Sequence, residues 1–233
     1  MKQLTRLLAA LAFVAGCAAM PAAADDRDHD FDFDFDLRAM SAEWWQWALS
    51  IPNATNPLDD STGANCMVGQ RGPTWFLAGN MTGTPGVRTC TVPANSPLFF
   101  PVVNTVWVNT PGGPECGNEP VYTVAELRAL LDPIVDGATG ISVLLNNRPV
   151  KDVRRIKSKA FTAVFPPKGP WDPKGESPCL VPGKLYYPSV DDGYYVRLRG
   201  LPEGQHHLSF RGTLGGTTID MFYTLTAVKV GGK

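Results

Sequence analysis

The chain has 233 residues, a formal net charge of −1, 44% hydrophobic and 18% charged residues, 23 glycines and 21 prolines. The near-neutral charge argues against a nucleic-acid binder, whose usual footprint is a basic domain or stripe. No apolar run beyond the N-terminus approaches the roughly 18 residues that a membrane span needs. The glycines and prolines interrupt the chain too often for a helical bundle, so the composition predicts a β-rich domain.

Residues 1–24 are typical of an export signal. Lys2 and Arg6 precede a short apolar core, and three alanines ending at Ala24 form a small-residue cleavage site. An alternative lies inside this segment, because the residues before Cys17 resemble the lipobox of bacterial lipoproteins, and cleavage there would tether the protein to a membrane through a lipid. We favour cleavage after Ala24, which predicts a secreted or periplasmic protein.

Four cysteines remain after removal of this signal, namely Cys66, Cys90, Cys116 and Cys179. An even number in an exported chain predicts two disulfides, and four cysteines allow three pairings. We favour Cys66–Cys90, which flanks a predicted hairpin, together with Cys116–Cys179, which joins two Pro/Gly-rich loops. A zinc site is the alternative, but no CxxC and no Cys/His spacing supports it.

The mature chain begins with an acidic arm, residues 25–40, ahead of a domain predicted to span 41–233. Positions 25–36 hold seven aspartates and one arginine, a net charge of −6. Without Lys2 and Arg6 the mature chain has 19 basic and 22 acidic residues, or −3, so the remainder carries about +3. The alternation of Phe with Asp is a strand pattern, but Asp is a poor strand former. We favour a disordered linker; the alternative is an added edge strand on its own domain or on a partner.

A short helix is predicted over residues 41–51. Ser41 is a candidate N-cap, and Pro52 ends the run. The three tryptophans of this segment can form a sugar platform, but they fit better a helix that closes the end of a β-core.

The loop that follows is rich in oxygen ligands. Asn56, Asp59 and Asp60 would bind Ca²⁺, although the loop lacks the EF-hand spacing and calcium takes six to eight oxygens. We favour an ordinary Asx-turn loop. A calcium-stabilised adhesin is therefore a lesser functional hypothesis.

The strands that follow form the bulk of the predicted fold. Short segments rich in Val, Phe, Trp and Thr, bounded by turn residues, are predicted as strands over 75–78, 88–92, 98–108, 141–145, 148–153, 159–165, 193–199, 205–211 and 217–230. A capping box from Thr123 to Glu126 begins a second helix that runs to about Leu131, with Pro133 and then Gly137 marking its end. Asn146 and Asn147 form a two-residue hairpin turn. We expect a mainly β protein: a single β-sandwich, jelly-roll or Ig-like, with two short helices.

Strand alternation groups five side chains on one predicted face. If segments 194–199 and 205–211 pair as a hairpin with their apolar faces together, the opposite face presents Tyr195, Arg197, Arg199, His207 and Arg211. Such a face would bind an anion, an acidic polysaccharide, or the Asp/Phe arm of the same or a neighbouring chain. The interpretation we favour is an ordinary solvated sheet face.

No common catalytic motif occurs in the sequence. A G-x-S-x-G elbow, an H-E-x-x-H helix and a phosphate-binding Gly loop are all missing. His206 and His207 point to opposite faces of a strand, so we expect one structural and one surface histidine. Carboxylates suited in type to glycoside hydrolysis occur at Asp59, Asp60, Asp172, Asp191, Asp192 and Asp220, but no pairing follows from the sequence.

Several segments together resemble a family of uncharacterised secreted bacterial proteins. They are Trp-Trp-Gln-Trp at 44–47, Ser-Ile-Pro at 50–52, Asn-Pro at 56–57, Gly-Gln at 69–70, Trp-Phe-Leu-Ala-Gly at 75–79, Leu-Phe-Phe-Pro at 98–101, Gly-Tyr-Tyr-Val at 193–196 and Gly-Gln-His at 204–206. The resemblance implies an exported single domain and no particular activity, substrate or cofactor. The acidic arm is not part of the resembling pattern.

The predicted export and the predicted β-sandwich together favour a non-enzymatic binding or structural module at the cell envelope. The alternative is a secreted hydrolase of polysaccharides that uses carboxylates in the long loops. A deep cleft with two carboxylates, or a histidine with a carboxylate partner, would favour the enzyme, and an exposed aromatic or charged surface would favour the binding module.

Overall fold

The computed structural model describes residues 36–110, 116 and 121–230. The predicted export signal, 1–24, lies outside the described residues, as do positions 25–35 of the acidic arm. All of the described residues fall within one compact unit. None of the helices in this described portion is long and apolar enough to cross a membrane.

The described part of the chain contains two α-helices, ten strands and a 3-10 turn at Asn53–Thr55. The helices are α1, Leu37–Leu49, and α2, Val124–Asp136. The strands are β1 Trp75–Phe76, β2 Gly86–Pro93, β3 Leu98–Val108, β4 Thr139–Leu145, β5 Arg148–Pro149, β6 Val153–Lys157, β7 Phe161–Ala163, β8 Tyr186–Leu198, β9 Gly204–Leu214 and β10 Thr217–Val228.

Two mixed sheets form the fold, and they confirm the predicted β-sandwich. The first sheet has the order β1-β3-β8-β6, with β7 also paired to β8; the second has the order β2-β10-β9-β4-β5. Most neighbours are antiparallel, but β1 runs parallel to β3 and β2 runs parallel to β10.

The apolar core has three parts, because the first sheet is covered on both faces. Between the sheets, Phe100 packs on Phe210 with ring centroids 4.9 Å apart. On the opposite face of the first sheet, α1 buries Trp44 in the cluster that contains Phe99. Helix α2 covers a further part of β8 with Leu127 and Leu131. Large side chains buried in this way dominate the free energy of folding.

Helix α1 begins four residues earlier than the sequence predicted. Its N-cap is Asp36, whose Oδ1 accepts the N–H groups of Arg38 at 3.1 Å and Ala39 at 3.2 Å. Ser41 lies buried inside the helix, where its hydroxyl donates to the carbonyl of Arg38. The predicted start was wrong because Asp and Ser are equally good caps, and a helical Ser can instead bond to its own preceding turn.

Helix α2 has the predicted capping box but not the predicted end. The Thr123 hydroxyl accepts the N–H of Glu126, and the Glu126 carboxylate accepts the N–H of Thr123 at 2.7 Å. The helix then continues through Pro133 to Asp136, with Gly137 as its C-cap. A proline in the last turn costs one helical hydrogen bond, and packing of α2 on the first sheet offsets this loss.

The predicted turn between β4 and β5 is confirmed. Asn146 and Asn147 have φ values of 51° and 62°, as a two-residue hairpin turn requires. On β3, the pairing with β8 shifts register between Pro101 and Val103, because a proline has no N–H group for the ladder and is found in sheets at edges and bulges.

The predicted pairing of segments 194–199 and 205–211 is wrong. Strand β8 pairs with β3 and β6 in the first sheet, whereas β9 pairs with β10 and β4 in the second. The short connection 199–203 therefore passes from one sheet to the other. Strand spacing alone does not separate a hairpin from such a crossing, because both connections are short.

Candidate functional site

Both favoured disulfides are present. Cys66–Cys90 joins the loop before β1 to the middle of β2, with Cα atoms 6.0 Å apart. Cys116–Cys179 ties the segment after β3 to the long loop before β8, with Cα atoms 5.3 Å apart. The fold therefore has two covalent cross-links between segments that are distant in sequence.

The five residues of the predicted basic face do not lie together. Tyr195 is 1% exposed and lies under α1, on the outer face of the first sheet. His207 and Arg211 are exposed on the second sheet, and Arg211 pairs with Asp220 at 3.6 Å. Because β8 and β9 belong to different sheets, Arg197 and Arg199 do not share the face of β9 either. The prediction of one shared face is wrong.

The predicted calcium loop is held by its own polar groups. Asn56 is buried and donates to the carbonyls of Ala48 and Ile51, both at 2.8 Å, at the end of α1. Asp60 accepts the N–H groups of Thr62 and Asn65, both at 2.8 Å. Burial raises the pKa of Asp60, but these hydrogen bonds outweigh it and lower the pKa below its ordinary value.

Asp59 accepts a hydrogen bond from Asn53 at 3.2 Å. In the described ranges, no three or more His, Cys, Asp or Glu side chains are grouped so as to hold a metal ion. Binding of Ca²⁺ stays a prediction without support from the geometry.

The two neighbouring histidines divide as predicted into a structural and a surface residue. The buried His206 ring lies 2.9 Å from the Pro202 carbonyl and 3.1 Å from the Asn146 amide. His207 is exposed.

The candidate carboxylates are dispersed, and the most unusual of them is on β8. Asp191 and Asp192 are adjacent and fully buried, and they point to opposite faces of the first sheet. Asp192 forms a hydrogen-bonded ion pair with Arg155 at 2.7 Å. This bond raises the pKa of the Arg155 guanidinium, which also contacts Asp136 on α2.

Asp191 lies between β8 and α1 in a small polar network. Its Oδ1 accepts the Trp45 indole N–H and the Tyr195 hydroxyl, both at 2.7 Å. Burial raises the pKa of Asp191 well above its ordinary value; the bonds from Tyr195 and Trp45 act in the opposite direction. A buried carboxyl with a raised pKa is a functional-site candidate, although structural networks produce the same shift.

A cleft beside α1, which we name the first cleft, is a candidate ligand site. It has a volume of about 510 Å³, within the range of small-molecule sites. Four of its residues recur at the spacing of one helical face, Glu43, Gln46, Trp47 and Ser50. The opposite wall is the loop 69–72, and the floor includes Phe76.

Hydrogen bonds hold the segments that line the first cleft in place. The Trp47 indole N–H donates to the Val68 carbonyl at 2.9 Å, which holds the loop on the helix. Gln70 donates to the carbonyls of Cys66 and Phe76 and accepts the N–H of Phe76 at 2.9 Å. Cys66 is itself bonded to Cys90. The Cys66–Cys90 disulfide, the loop 69–72 and helix α1 are therefore joined by a continuous series of covalent and hydrogen bonds.

Gly69 shows how closely this loop approaches the helix. Its φ is +69°, and a Cβ at this position would lie 3.0 Å from the Ile51 side chain and 3.2 Å from the Trp47 indole nitrogen. Both features favour glycine. The sequence shows the Gly69–Gln70 pair and the Trp-rich helix α1. It does not show that they line the same cleft, because this depends on packing between distant segments.

The fold and the two disulfides define the class of protein. It is a β-sandwich of two mixed sheets with two disulfides, and helix α1 covers the outer face of the first sheet. Neither a family model, nor a curated protein, nor a solved structure matches the chain significantly. The resemblance to uncharacterised secreted bacterial proteins stays a prediction.

Proposed function

We propose that this chain is an exported binding module of the cell envelope, and that the first cleft is its ligand site. The observation that carries the proposal is the cleft itself, about 510 Å³ with an aromatic floor and a polar rim. Export is supported by the signal-like N-terminus and by two disulfides, which persist in oxidising compartments.

A saccharide is the ligand class that the lining residues favour. Trp47 and Phe76 supply an apolar floor, with ring centroids 5.6 Å apart. The exposed rim offers the Gln46 amide and the Arg71 guanidinium, which can donate to hydroxyl and carboxylate oxygens. The Ser50 hydroxyl donates to the Trp47 carbonyl at 2.9 Å and can only accept a further hydrogen bond. The +3 charge of residues 37–233 favours an acidic polysaccharide over a neutral one.

The small number of carboxylates in the first cleft favours binding over hydrolysis. Glycosidases place two carboxyl groups across the scissile bond. Among the described residues that line the first cleft, Glu43 is the sole carboxylate. Self-association through the Asp/Phe arm stays a prediction, because residues 25–35 lie outside the described part of the chain.

Calorimetric titration with two oligosaccharides of equal length tests the proposal. We expect oligogalacturonate to bind more tightly than the neutral maltooligosaccharide, and Arg71→Glu to weaken oligogalacturonate by about tenfold. Arg148→Glu is the matched control, since it makes the same charge change at an exposed site on β5. Equal affinity of Arg71→Glu and Arg148→Glu for oligogalacturonate, or no binding of either saccharide to the wild type, would count against the proposed site.

A further inference from the structure

A second cleft lies on the other side of α1 and carries a different chemistry. It has a volume of about 310 Å³ and is bounded by the β3 bulge, the β9–β10 turn and α1. Its walls include Trp44, Trp45, Asn80, Met81, Asn104 and Thr105. None of its described lining residues is Asp, Glu, Lys, Arg or His.

The indole N–H groups at this cleft donate away from it. Trp44 donates to the Leu77 carbonyl at 2.9 Å, and Trp45 donates to Asp191 at 2.7 Å. Asn104 directs one N–H to the Tyr195 hydroxyl oxygen at 2.9 Å, while its own Oδ1 accepts no hydrogen bond from the described residues. What remains for a ligand is electron-rich, namely the Met81 sulfur and the Asn104 carbonyl oxygen, whereas Trp44 is 0% exposed and Trp45 only 6% exposed.

A buried carboxyl group lies directly behind this wall. Asp191 is 0% exposed and bonds to one wall residue, Trp45, directly and to another, Asn104, through the Tyr195 hydroxyl. Its Oδ2 has no hydrogen-bond partner of normal geometry within the described part of the chain. Burying a carboxylate in this way costs several kcal/mol, and the low local dielectric extends its field into the cleft.

The surroundings of Asp191 leave its charge without a contacting cation. The titratable and charged groups that face it are Tyr195 and Asp192 on β8 and Arg128 on α2. Arg128 donates to the Ser158 carbonyl, and Asp192 is bonded to Arg155. Helix α1 and β3 contribute only uncharged groups to the network, Ser41, Trp45 and Asn104.

We infer that the second cleft binds a small organic cation of the alkylammonium class, with Asp191 as its buried counter-charge. A nearby buried carboxyl group and electron-rich oxygen and sulfur atoms attract such cations, and methyl groups on the nitrogen match the apolar walls. Ca²⁺ and Mg²⁺ are disfavoured because they need six or more oxygen ligands. This site is independent of the first cleft and of the saccharide proposed for it.

Choline and its neutral isostere 3,3-dimethyl-1-butanol provide the test, because they differ in charge and hardly in shape. In calorimetric titrations at pH 8 and constant ionic strength, we expect choline to bind about tenfold more tightly than the alcohol. Asp191→Asn should remove this difference, since it keeps an acceptor for Trp45 and Tyr195 but no charge. The control is Asp152→Asn, the same substitution at an exposed side chain.

Two further readouts hold even if Asp191→Asn lowers stability. Binding of the cation favours ionised Asp191, so the affinity of the wild type for choline should rise with pH, while the affinity for the alcohol should not. In nitrogen-15 NMR spectra, choline should shift the Trp45 indole N–H signal more than that of Trp107, which does not line the second cleft. Equal affinity for choline and the alcohol, a choline affinity independent of pH, or no shift at Trp45 would overturn the inference.

Discussion

Removal of the Cys66–Cys90 disulfide should both destabilise the domain and loosen the first cleft. The bridge joins residues 24 positions apart, for which loop-closure entropy gives about 3.5 kcal/mol of lost stability. For a domain of this size, such a loss lowers the melting temperature by about 7–14 °C. We therefore expect the double variant Cys66→Ala/Cys90→Ala to melt in this range below the wild type in differential scanning calorimetry.

The second bridge provides the matched comparison. Cys116 and Cys179 are 63 positions apart, so the same arithmetic gives about 4.3 kcal/mol for their loss. That bridge does not anchor the loop 69–72, whereas Gln70 bonds directly to the Cys66 carbonyl. Only Cys66→Ala/Cys90→Ala should therefore also weaken oligogalacturonate binding at a temperature where both variants are folded. A melting shift below about 2 °C, or equal binding by the two variants, would refute this account of the bridge.

Three further predictions address a cap, a buried acid and the export signal. Thr123→Ala should lower the free energy of unfolding by about 1 kcal/mol in urea denaturation, with Thr123→Ser close to wild type, because both Thr and Ser can complete the capping box with Glu126. The folded-state pKa of Asp191 is raised above its ordinary value of 3.8, so the folded state keeps a proton that the unfolded chain loses, and stability falls as the pH rises through that interval. Asp191→Asn removes this contribution, so its stability relative to the wild type should increase with pH; a difference that does not change between pH 4 and pH 8 would contradict the assignment. Finally, mass spectrometry of the exported protein should show a chain that begins at Asp25, whereas a lipidated Cys17 at the N-terminus would mean that the lipobox is used.

The sequence predicts the features of this fold that depend on local interactions. The Asn146–Asn147 turn depends on the tolerance of Asn for positive φ, and the Thr123 capping box on contacts three residues apart. Both favoured disulfides are present, but the hairpin that suggested Cys66–Cys90 is not, since β1 pairs with β3 and β2 pairs with β10. The signals for the turn and the capping box lie within short segments, so no knowledge of the tertiary packing is needed for them.

The failures have a common physical origin in packing between distant segments. Whether β8 pairs with β9 or with β3 depends on which sheet each strand joins, and the alternation within 194–211 is the same in either arrangement. The alternation does predict correctly that Val196 and Leu198 are buried; they face the second sheet. The first cleft likewise needs α1, the loop 69–72 and Thr162 of β7 to meet, and Gln46 bonds to the Thr162 carbonyl across more than a hundred residues. No local pattern predicts such a meeting.

The location of the bound ligand is the most direct test of the central claim that the first cleft is a binding site. Backbone amide NMR spectra of the isotope-labelled protein, recorded during titration with oligogalacturonate, would map it residue by residue. The account predicts that the shifted signals cluster at residues 43–50, 69–72 and 162–164. Shifts confined to the exposed face of the second sheet, around His207 and Arg211, or no shifts at saturating saccharide, would contradict it.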